Sequence, residues 1–390
     1  MKIKVGLEVL LEKKMELLKG ARIGLVVHQP SVNSALEHAV NLLNNHPSVQ
    51  LTTVFGPQHG IWGETQDNMI EWNSYRDPRT GLPFFSLYGE TRKPTGEMLK
   101  NVDAVVIDLQ DVGARYYTYI YTMALTMEAC AELGKEVFVL DRPNPIDGIH
   151  IEGPMLDPSF KSFVGLYPLP VRPGMTIGEL ALYFNQECGI NCYLTVVPME
   201  NWDREMYFED SGFPWVIPSP NMPAITTAAV YPGMCLFEAT NVSEARGTTL
   251  PFELTGAPWV KDPHQFSERM GEFSLPGVTF RPLYFTPTFH KWKGQLIGGV
   301  QTHVTDRKLF KPFLTGLALV AAYRETGGLD FKWKDPPYEY EYDLLPFDIV
   351  AGSDRTRLQV ESGVSLAEIE NSWKPGLEEF RKIRQGYLLY

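Results

Sequence analysis

A strand, a helix and a second strand are predicted by residues 104–140, which read AVVIDLQDVGARYYTYIYTMALTMEACAELGKEVFVL. The runs Ala104–Leu109 and Glu136–Leu140 are short, contain many β-branched residues and lack strict alternation, which is typical of strands buried on both faces of a parallel sheet. Between them, Ala124–Leu133 has a helical pattern, and Gly134 suits the C-terminal end of that helix. The stretch therefore predicts one β-α-β unit.

The same alternation extends over the first 155 residues. Further strand-like runs lie at Ile23–Val27, Leu51–Phe55 and Phe84–Leu87, and another helical pattern lies at Leu36–Asn44. Short strands separated by helices predict a doubly wound α/β domain whose parallel sheet is covered on both faces. We expect this domain to span residues 1–155.

The remaining residues, 156–390, predict a second, smaller domain of mixed α/β structure. Prolines become frequent from about Asp157 and mark loops and extended segments. Helices are predicted at Glu179–Gln186 and Pro312–Tyr323. Strands are predicted at Tyr193–Val197, Val278–Arg281 and Leu296–His303. Thr176 and Glu179 have the spacing of a capping box. The tail from Ser365 is predicted to be helical, with a break at Pro375.

Composition limits the function. The 390 residues include 35 Lys and Arg against 47 Asp and Glu, a net charge of −12. Such an acidic surface repels nucleic acid and anionic lipid, so neither is an expected partner, whereas a small anionic substrate requires only a few basic residues in one pocket. The chain contains neither a run of ~18 apolar residues nor a signal peptide at its start, which predicts a cytoplasmic protein.

Motifs for the common cofactors and catalytic classes are missing. The first strand is followed by residues 28–33, HQPSVN, without the G-x-G-x-x-G that lets a backbone approach a pyrophosphate. The chain also lacks a G-x-x-x-x-G-K-[ST] loop, an H-E-x-x-H helix motif and a G-x-S-x-G elbow. Its four cysteines include no C-x-x-C pair and are interpreted as buried free thiols. We therefore expect no cofactor and no metal.

Polar residues follow the predicted strands, where ligands of open α/β sheets bind. Several acids lie in these and other polar loops: Glu64, Glu90, Asp108, Asp111 and Glu244. Trp62 and the tyrosines at 116, 117 and 119 offer faces on which sugar rings can stack, and Arg115 and Arg246 can pair with a carboxylate. Cleavage of a glycosidic bond usually needs one carboxylic acid and a second carboxylate or a substrate amide. The composition of these loops thus favours a carbohydrate site.

Eight motifs occur in an order that resembles one known family. They are residues 56–60 (GPQHG), 110–119 (QDVGARYYTY), 141–145 (DRPNP), 151–154 (IEGP), 173–181 (PGMTIGELA), 219–223 (SPNMP), 237–249 (FEATNVSEARGTT) and 380–390 (FRKIRQGYLLY). Together they resemble the exo-acting β-N-acetylmuramidase (NamZ-like) family of peptidoglycan hydrolases, over nearly the whole chain. The resemblance implies a Rossmann-like N-terminal domain, a smaller α/β domain and a site between them. It also implies release of N-acetylmuramic acid from the non-reducing end of peptidoglycan fragments, without a metal or organic cofactor.

We expect the catalytic residues to be Glu64 or Glu244 as acid/base, with His59 close by. The expected substrate-binding residues are Gln58, Asp111, Arg115, Tyr117, Asn144, Asn221, Asn241 and Arg246. Structural alternatives stay open for several of them. His59 can bond to backbone only, Glu64 can be a solvated loop acid, Asp111 and Arg115 can form an ion pair at a helix start, and both Asn144 and Asn221 suit turns beside proline.

Position 58 departs from the family pattern. The first motif commonly reads Gly-Pro-Glu-His-Gly, so the resemblance implies a candidate acid where this chain has Gln58. Because an amide cannot supply the proton, either Glu64 takes that role, or the specificity differs, or the chain binds carbohydrate without hydrolysing it. A hydrolase for a different glycoside is a further alternative. The sequence does not indicate the oligomeric state.

Overall fold

The computed structural model describes residues 2–67 and 69–390. Its strands are β1 (Arg22–Val27), β2 (Gln50–Gly56), β3 (Tyr75–Arg76), β4 (Pro83–Ser86), β5 (Ala104–Asp108), β6 (Glu136–Leu140), β7 (Glu152–Met155), β8 (Pro170–Arg172), β9 (Tyr193–Val197), β10 (Leu254–Ala257), β11 (Val278–Phe285) and β12 (Ile297–Val304). Its α-helices are α1 (Gly6–Val9), α2 (Ala39–Asn44), α3 (Tyr119–Glu132), α4 (Ile177–Gln186), α5 (Ile225–Met234), α6 (Pro263–Glu272), α7 (Pro312–Gly327), α8 (Pro346–Ala351), α9 (Arg355–Glu361) and α10 (Leu366–Arg384).

The large sheet has the strand order β3-β4-β2-β1-β5-β6-β9. All neighbouring strands in it are parallel except β3 and β4, which are antiparallel. If the six parallel strands are renumbered along the chain, their order is 3-2-1-4-5-6, which is the order of a Rossmann-type sheet. The predicted doubly wound α/β fold is confirmed.

The strand at Tyr193–Val197 was expected in the second domain, and that assignment is wrong. It pairs with β6 from Glu136↔Tyr193 to Leu140↔Val197 and forms the last parallel strand of the large sheet. A division at residues 155 and 156 would separate this strand from its own sheet, and the position of the domain boundary stays a prediction. Below, the first unit denotes the described residues up to 224, and the second unit denotes residues 225–390.

The second unit contains the antiparallel sheet β10-β12-β11, and a small sheet of β7 and β8 belongs to the first unit. Helices α5 and α7 pack closely against each other at two glycines, Gly233 in α5 and Gly316 in α7. A Cβ atom on Gly233 would lie 1.9 Å from the carbonyl oxygen of Pro312, and one on Gly316 would lie 2.3 Å from that of Gly233. Glycine at both positions therefore allows the close crossing that places α5 beside the first unit.

Two predicted helix boundaries differ in the structure. The helix expected from Leu36 begins at Ala39, because Leu36 adopts a left-handed backbone with φ 63° that a helix cannot contain. The break expected at Pro375 does not occur, since α10 runs continuously through it. Proline inside a helix costs about 3 kcal/mol, and the buried face of α10 continues from Ile369 and Trp373 before the proline to Phe380 after it.

Buried polar side chains occupy the point where the strand order of the large sheet reverses, between β1 and β5. Arg142 binds both carboxylate oxygens of Asp108, with Nε to Oδ1 at 2.5 Å and Nη2 to Oδ2 at 2.9 Å. His28 and Ser31 lie beside this pair and are buried as well. The site at which a Rossmann sheet usually binds a nucleotide is thus filled by the chain's own side chains.

Arg115 connects three segments of the fold. Its Nη1 donates to the carbonyl oxygens of Pro154 at 2.8 Å and Leu169 at 2.9 Å, and its Nη2 donates to that of Val350 at 2.9 Å. The side chain is fully buried, and burial lowers its pKa. Because Val350 lies in α8 and the other two acceptors lie in the first unit, Arg115 joins the two units.

We expect Arg115→Met to lower the free energy of unfolding by about 3 kcal/mol or more, because three carbonyl groups each lose a hydrogen bond from this guanidinium. Urea-induced unfolding measures the change. Arg22→Met is the matched control, since Arg22 pairs with Asp103 on the surface, where both side chains are more than 40% exposed, and should lose less than about 1 kcal/mol. Equal losses in the two variants would contradict a connecting role for Arg115.

Candidate active site

A pocket lies where the loops after β2 and β5 meet the second unit. Its walls come from both units. The lining residues are Gln58, His59, Tyr116, Tyr117, Thr118, Tyr119, Val164, Ser219, Asn221, Met222, Tyr231, Glu238, Arg246, Phe252, Tyr338 and Glu339. The pocket combines two carboxyl groups, one guanidinium group and five tyrosines.

His59 follows β2 and lines the pocket in its neutral form. Its φ of 70° places it in the left-handed region, and its Nδ1 lies 2.8 Å from the carbonyl oxygen of Thr65. Burial lowers the pKa of His59 to about 4. A neutral ring that donates from Nδ1 has an unprotonated Nε2, which can accept a hydrogen bond but cannot act as an acid at neutral pH.

Glu339, from the second unit, contacts the residue at which an acid was expected. Gln58 Nε2 donates to Glu339 Oε1 at 3.3 Å, and Tyr88 Oη donates to Glu339 Oε2 at 2.6 Å. Burial raises the pKa of Glu339 to about 7, and the charge of Glu238 raises it further against the opposing effect of the Tyr88 hydrogen bond. The pocket therefore contains a carboxylic acid that keeps its proton close to neutral pH.

The segment that carries Glu339 is held in a strained conformation. Glu339 and Tyr340 have φ values of 47° and 67°, which are unfavourable for residues with a Cβ atom. Tyr340 packs against the first unit: the Arg92 guanidinium lies 4.1 Å from its ring centre and 4.9 Å from that of Tyr88, a cation–π arrangement. Tyr340 Oη also donates to Glu71 at 3.1 Å. These contacts fix the backbone that directs Glu339 towards Gln58.

Glu238 is the second carboxyl group of the pocket, in a different environment. Arg246 Nη2 lies 2.7 Å from Glu238 Oε1, and Tyr338 Oη donates to Glu238 Oε2 at 2.7 Å. The pocket thus contains one acid that keeps its proton close to neutral pH and one carboxyl group that is paired with a guanidinium. Such a difference in environment is what separates an acid from a base or nucleophile.

Glu244, one of the expected catalytic acids, lies beneath Arg246 and does not line the pocket. It is fully buried, and its Oε2 lies 2.7 Å from Lys291 Nζ while its Oε1 lies 3.4 Å from Arg246 Nε. Burial alone would raise the pKa of Glu244, but the charges of Lys291 and Arg246, among others, lower it to about 2. From this position Glu244 pairs with Arg246 and does not reach a ligand in the pocket.

Glu64 also lies outside the pocket lining. Its side chain is exposed, and its Oε2 accepts from the backbone N–H of Trp62 at 3.1 Å. Asp111 is buried behind the lining and accepts from Gly113 N at 2.6 Å, and burial raises its pKa to about 7. No ion pair joins Asp111 to Arg115 in the described part of the chain, because the arginine donates to backbone carbonyls instead.

Two of the predicted asparagines bond to backbone groups of other segments. Asn144 donates to Met175 O at 2.9 Å and accepts from Ile146 N at 3.1 Å. Asn241 donates to Asp330 O at 2.8 Å and accepts from Lys332 N at 2.9 Å. With their polar atoms bonded in this way and neither residue in the pocket lining, both connect segments of the fold.

Asn221 and Tyr117 do line the pocket. Asn221 accepts from Gln66 Nε2 at 3.1 Å and donates to Gln66 O at 2.9 Å. Tyr117 packs edge-on against Tyr119 and Tyr231, with ring centres 4.8 and 5.8 Å away, and burial raises its pKa. The structure therefore brings together five of the predicted residues: Gln58, His59, Tyr117, Asn221 and Arg246.

The chain is matched by two family models of known proteins. The N-terminal model of the exo-β-N-acetylmuramidase NamZ matches residues 23–226, and the C-terminal model matches residues 229–390. The chain belongs to the NamZ family. A relative from Bacillus subtilis (strain 168), described as peptidoglycan β-N-acetylmuramidase NamZ, is 48% identical over 389 residues, which cover 100% of this chain and 92% of the relative. The expectation of a glycosidase is thereby confirmed at the level of the family.

Solved structures agree with the NamZ-family fold. Crystal structures of two DUF1343 family proteins from Bacteroides fragilis match this chain with TM-scores of 0.89 at 35% identity and 0.77 at 31% identity. Each match covers 100% of this chain and 99% of the other. In the described residues of this NamZ-family chain, no cluster of three or more His, Cys, Asp or Glu side chains could hold a metal ion, and no helix is long and apolar enough to cross a membrane.

The sequence analysis missed both carboxyl groups that line the pocket. Glu238 lies inside the family motif at 237–249, where attention went to Glu244 and Arg246. Glu339 lies in Pro336-Pro-Tyr-Glu-Tyr340, outside every quoted motif. A pair of prolines followed by an acid between two tyrosines was the available signal, since prolines fix a turn and tyrosines can bond a buried acid.

The raised pKa of Glu339 predicts a pH-dependent difference in stability between the wild type and Glu339→Gln. Below about pH 4.5 the carboxyl group is protonated in both folded and unfolded states. Between there and pH 7 only the unfolded state loses the proton, so the wild type loses stability as pH rises. Glutamine cannot ionise, and its stability relative to wild type should therefore increase by about 2 to 3 kcal/mol between pH 5 and 8.

Urea-induced unfolding at pH 5, 6, 7 and 8 measures this difference. Glu64→Gln is the control, because the exposed Glu64 side chain should leave the pH dependence of stability as in wild type. If Glu339→Gln followed the wild-type curve at every pH, Glu339 would not keep its proton in the folded protein.

Proposed function

We propose that this chain is an exo-acting glycoside hydrolase that releases N-acetylmuramic acid from the non-reducing end of peptidoglycan fragments. Membership of the NamZ family and the activity named for the Bacillus subtilis relative support this substrate. The observation that carries the proposal is the pairing of Glu339, a buried acid with a pKa of about 7, with Glu238, an ion-paired carboxylate, in one pocket. No comparison supports the alternative of a non-catalytic relative, and the cytoplasmic location stays a prediction.

Glu339 donates its proton to the glycosidic oxygen as the bond to the anomeric carbon breaks. A second group stabilises the positive charge that develops at that carbon, as glycosidic cleavage requires. Two groups can fill this role: Glu238 from the protein, or the acetamido group of the sugar itself. Water then adds its hydroxyl to the anomeric carbon, and its proton restores the acid form of Glu339.

The other lining residues suit a sugar. The faces of Tyr117 and Tyr231 offer apolar surface for a pyranose ring, and His59 Nε2 offers an acceptor for a hydroxyl group. Asn221 contributes an amide at the edge of the same wall.

Two substrates separate the roles of the carboxyl groups. Para-nitrophenolate leaves without much help from an acid, whereas the sugar hydroxyl released from an N-acetylmuramyl-N-acetylglucosamine disaccharide needs protonation. We therefore expect Glu339→Gln to lower kcat by about 10²- to 10⁴-fold on the disaccharide and far less on the para-nitrophenyl glycoside. Glu238→Gln should lower both rates alike, and Glu64→Gln should lower neither. Full disaccharide turnover by Glu339→Gln, or loss of activity in Glu64→Gln, would contradict the assignment.

Gln58→Glu tests the contact between position 58 and Glu339. The new carboxyl group would lie where the amide now donates to Glu339 at 3.3 Å, and two carboxyl groups that close share a proton. Wild-type turnover should fall above about pH 7 as Glu339 ionises, and we expect this fall to move upward by about one pH unit in the variant. An unchanged or lowered pH limit in rate profiles on the disaccharide would count against Glu339 as the acid.

A further inference from the structure

Arg246 was expected to bind a carboxylate of the substrate, but all three of its nitrogens are already paired within the protein. Nη2 lies 2.7 Å from Glu238 Oε1, Nε lies 3.4 Å from Glu244 Oε1, and Nη1 lies 3.1 Å from Asp67 Oδ1. A carboxylate ligand at this guanidinium therefore competes with these three carboxylates for its N–H groups.

The three partners differ in how firmly they are held. The Glu244 and Glu238 side chains are 0% and 6% exposed, whereas the Asp67 side chain is 28% exposed. Glu244 is also bound by Lys291 and Glu238 by Tyr338, each at 2.7 Å, whereas His290 Nε2 lies 3.8 Å from Asp67 Oδ2. Breaking a buried charge pair is strongly unfavourable, whereas a partly exposed pair contributes little and is easily exchanged. Asp67 is therefore the partner that an incoming carboxylate can replace.

Asp67 lies next to the pocket lining and carries a carboxylate, as the ligand does. It follows Gln66, whose side chain and backbone bond to Asn221 in the pocket lining. N-acetylmuramic acid differs from N-acetylglucosamine by a lactyl group that ends in a carboxylate. The Asp67 carboxylate on Nη1 of Arg246 is thus the same chemical group that such a ligand would bring to this guanidinium.

We propose that Asp67 is an internal competitor for Arg246, which the carboxylate of an acidic amino sugar displaces when the sugar binds. The inference rests on the proposed function for the identity of the sugar. Exchange of one carboxylate for another keeps the charge around Arg246 constant. A neutral sugar makes no such exchange and leaves Asp67 in place. Asp67 thereby sets the affinity for acidic sugars without affecting neutral ones.

Calorimetric titration with N-acetylmuramic acid and with N-acetylglucosamine tests this proposal on wild type and on Asp67→Asn. The variant keeps the size of the side chain and removes its charge. We expect Asp67→Asn to bind N-acetylmuramic acid roughly threefold to tenfold more tightly than wild type, with unchanged affinity for N-acetylglucosamine. Glu64→Gln removes an exposed charge from the same loop without touching Arg246 and should behave as wild type for both sugars.

An unchanged ratio of the two affinities in Asp67→Asn would overturn the proposal, as would equal weakening of both sugars, which would make Asp67 a direct ligand of the ring. Binding of N-acetylmuramic acid by the variant alone would support it. Failure of the proposed function has a different signature, since wild type would then cleave no N-acetylmuramyl glycoside whatever the result of the titrations. A variant that binds neither sugar while wild type binds both would likewise overturn the inference.

Discussion

Burial of the Glu339 carboxyl group between the two units is the constraint on which the site depends. A carboxyl group removed from water must be neutral or well bonded, and Glu339 has neutral partners on both oxygens, Tyr88 and Gln58. Both partners belong to the first unit, whereas Glu339 belongs to the second. The acid therefore exists in its active environment only when the two units are packed together, as Arg115 and the cation–π contact of Arg92 with Tyr340 ensure.

This arrangement gives a physical meaning to the amide at position 58. A glutamate there would place a second ionisable group beside Glu339, and the two would titrate as a pair. Gln58 instead donates to Glu339 and accepts from Thr118 at 2.7 Å, so that the acid of the pocket is supplied by the second unit. The missing acid in the first motif is thus compatible with a hydrolase. On the other side of the pocket, Arg246 forms ion pairs with Glu238 and Asp67.

The sequence was sufficient for the parallel sheet, because short strands with buried faces and helices between them leave a local pattern, as in residues 104–140. It also identified the loops that line the pocket, since the loops after parallel strands converge on one edge. The sequence was insufficient to identify Glu339 as the acid. Gln58 and Glu339 are distant along the chain, and their contact depends on the packing of the two units. Arg115 illustrates the same limit, since a motif shows a charge but not the three backbone carbonyls that bind it.

A crystal structure of Glu339→Gln with an uncleaved N-acetylmuramyl-N-acetylglucosamine disaccharide tests this account most directly. The account predicts that the N-acetylmuramyl ring lies in the pocket, with the glycosidic oxygen within hydrogen-bonding distance of residue 339 and the anomeric carbon facing Glu238. A disaccharide bound beside Glu64, with residue 339 far from the glycosidic oxygen, would contradict it.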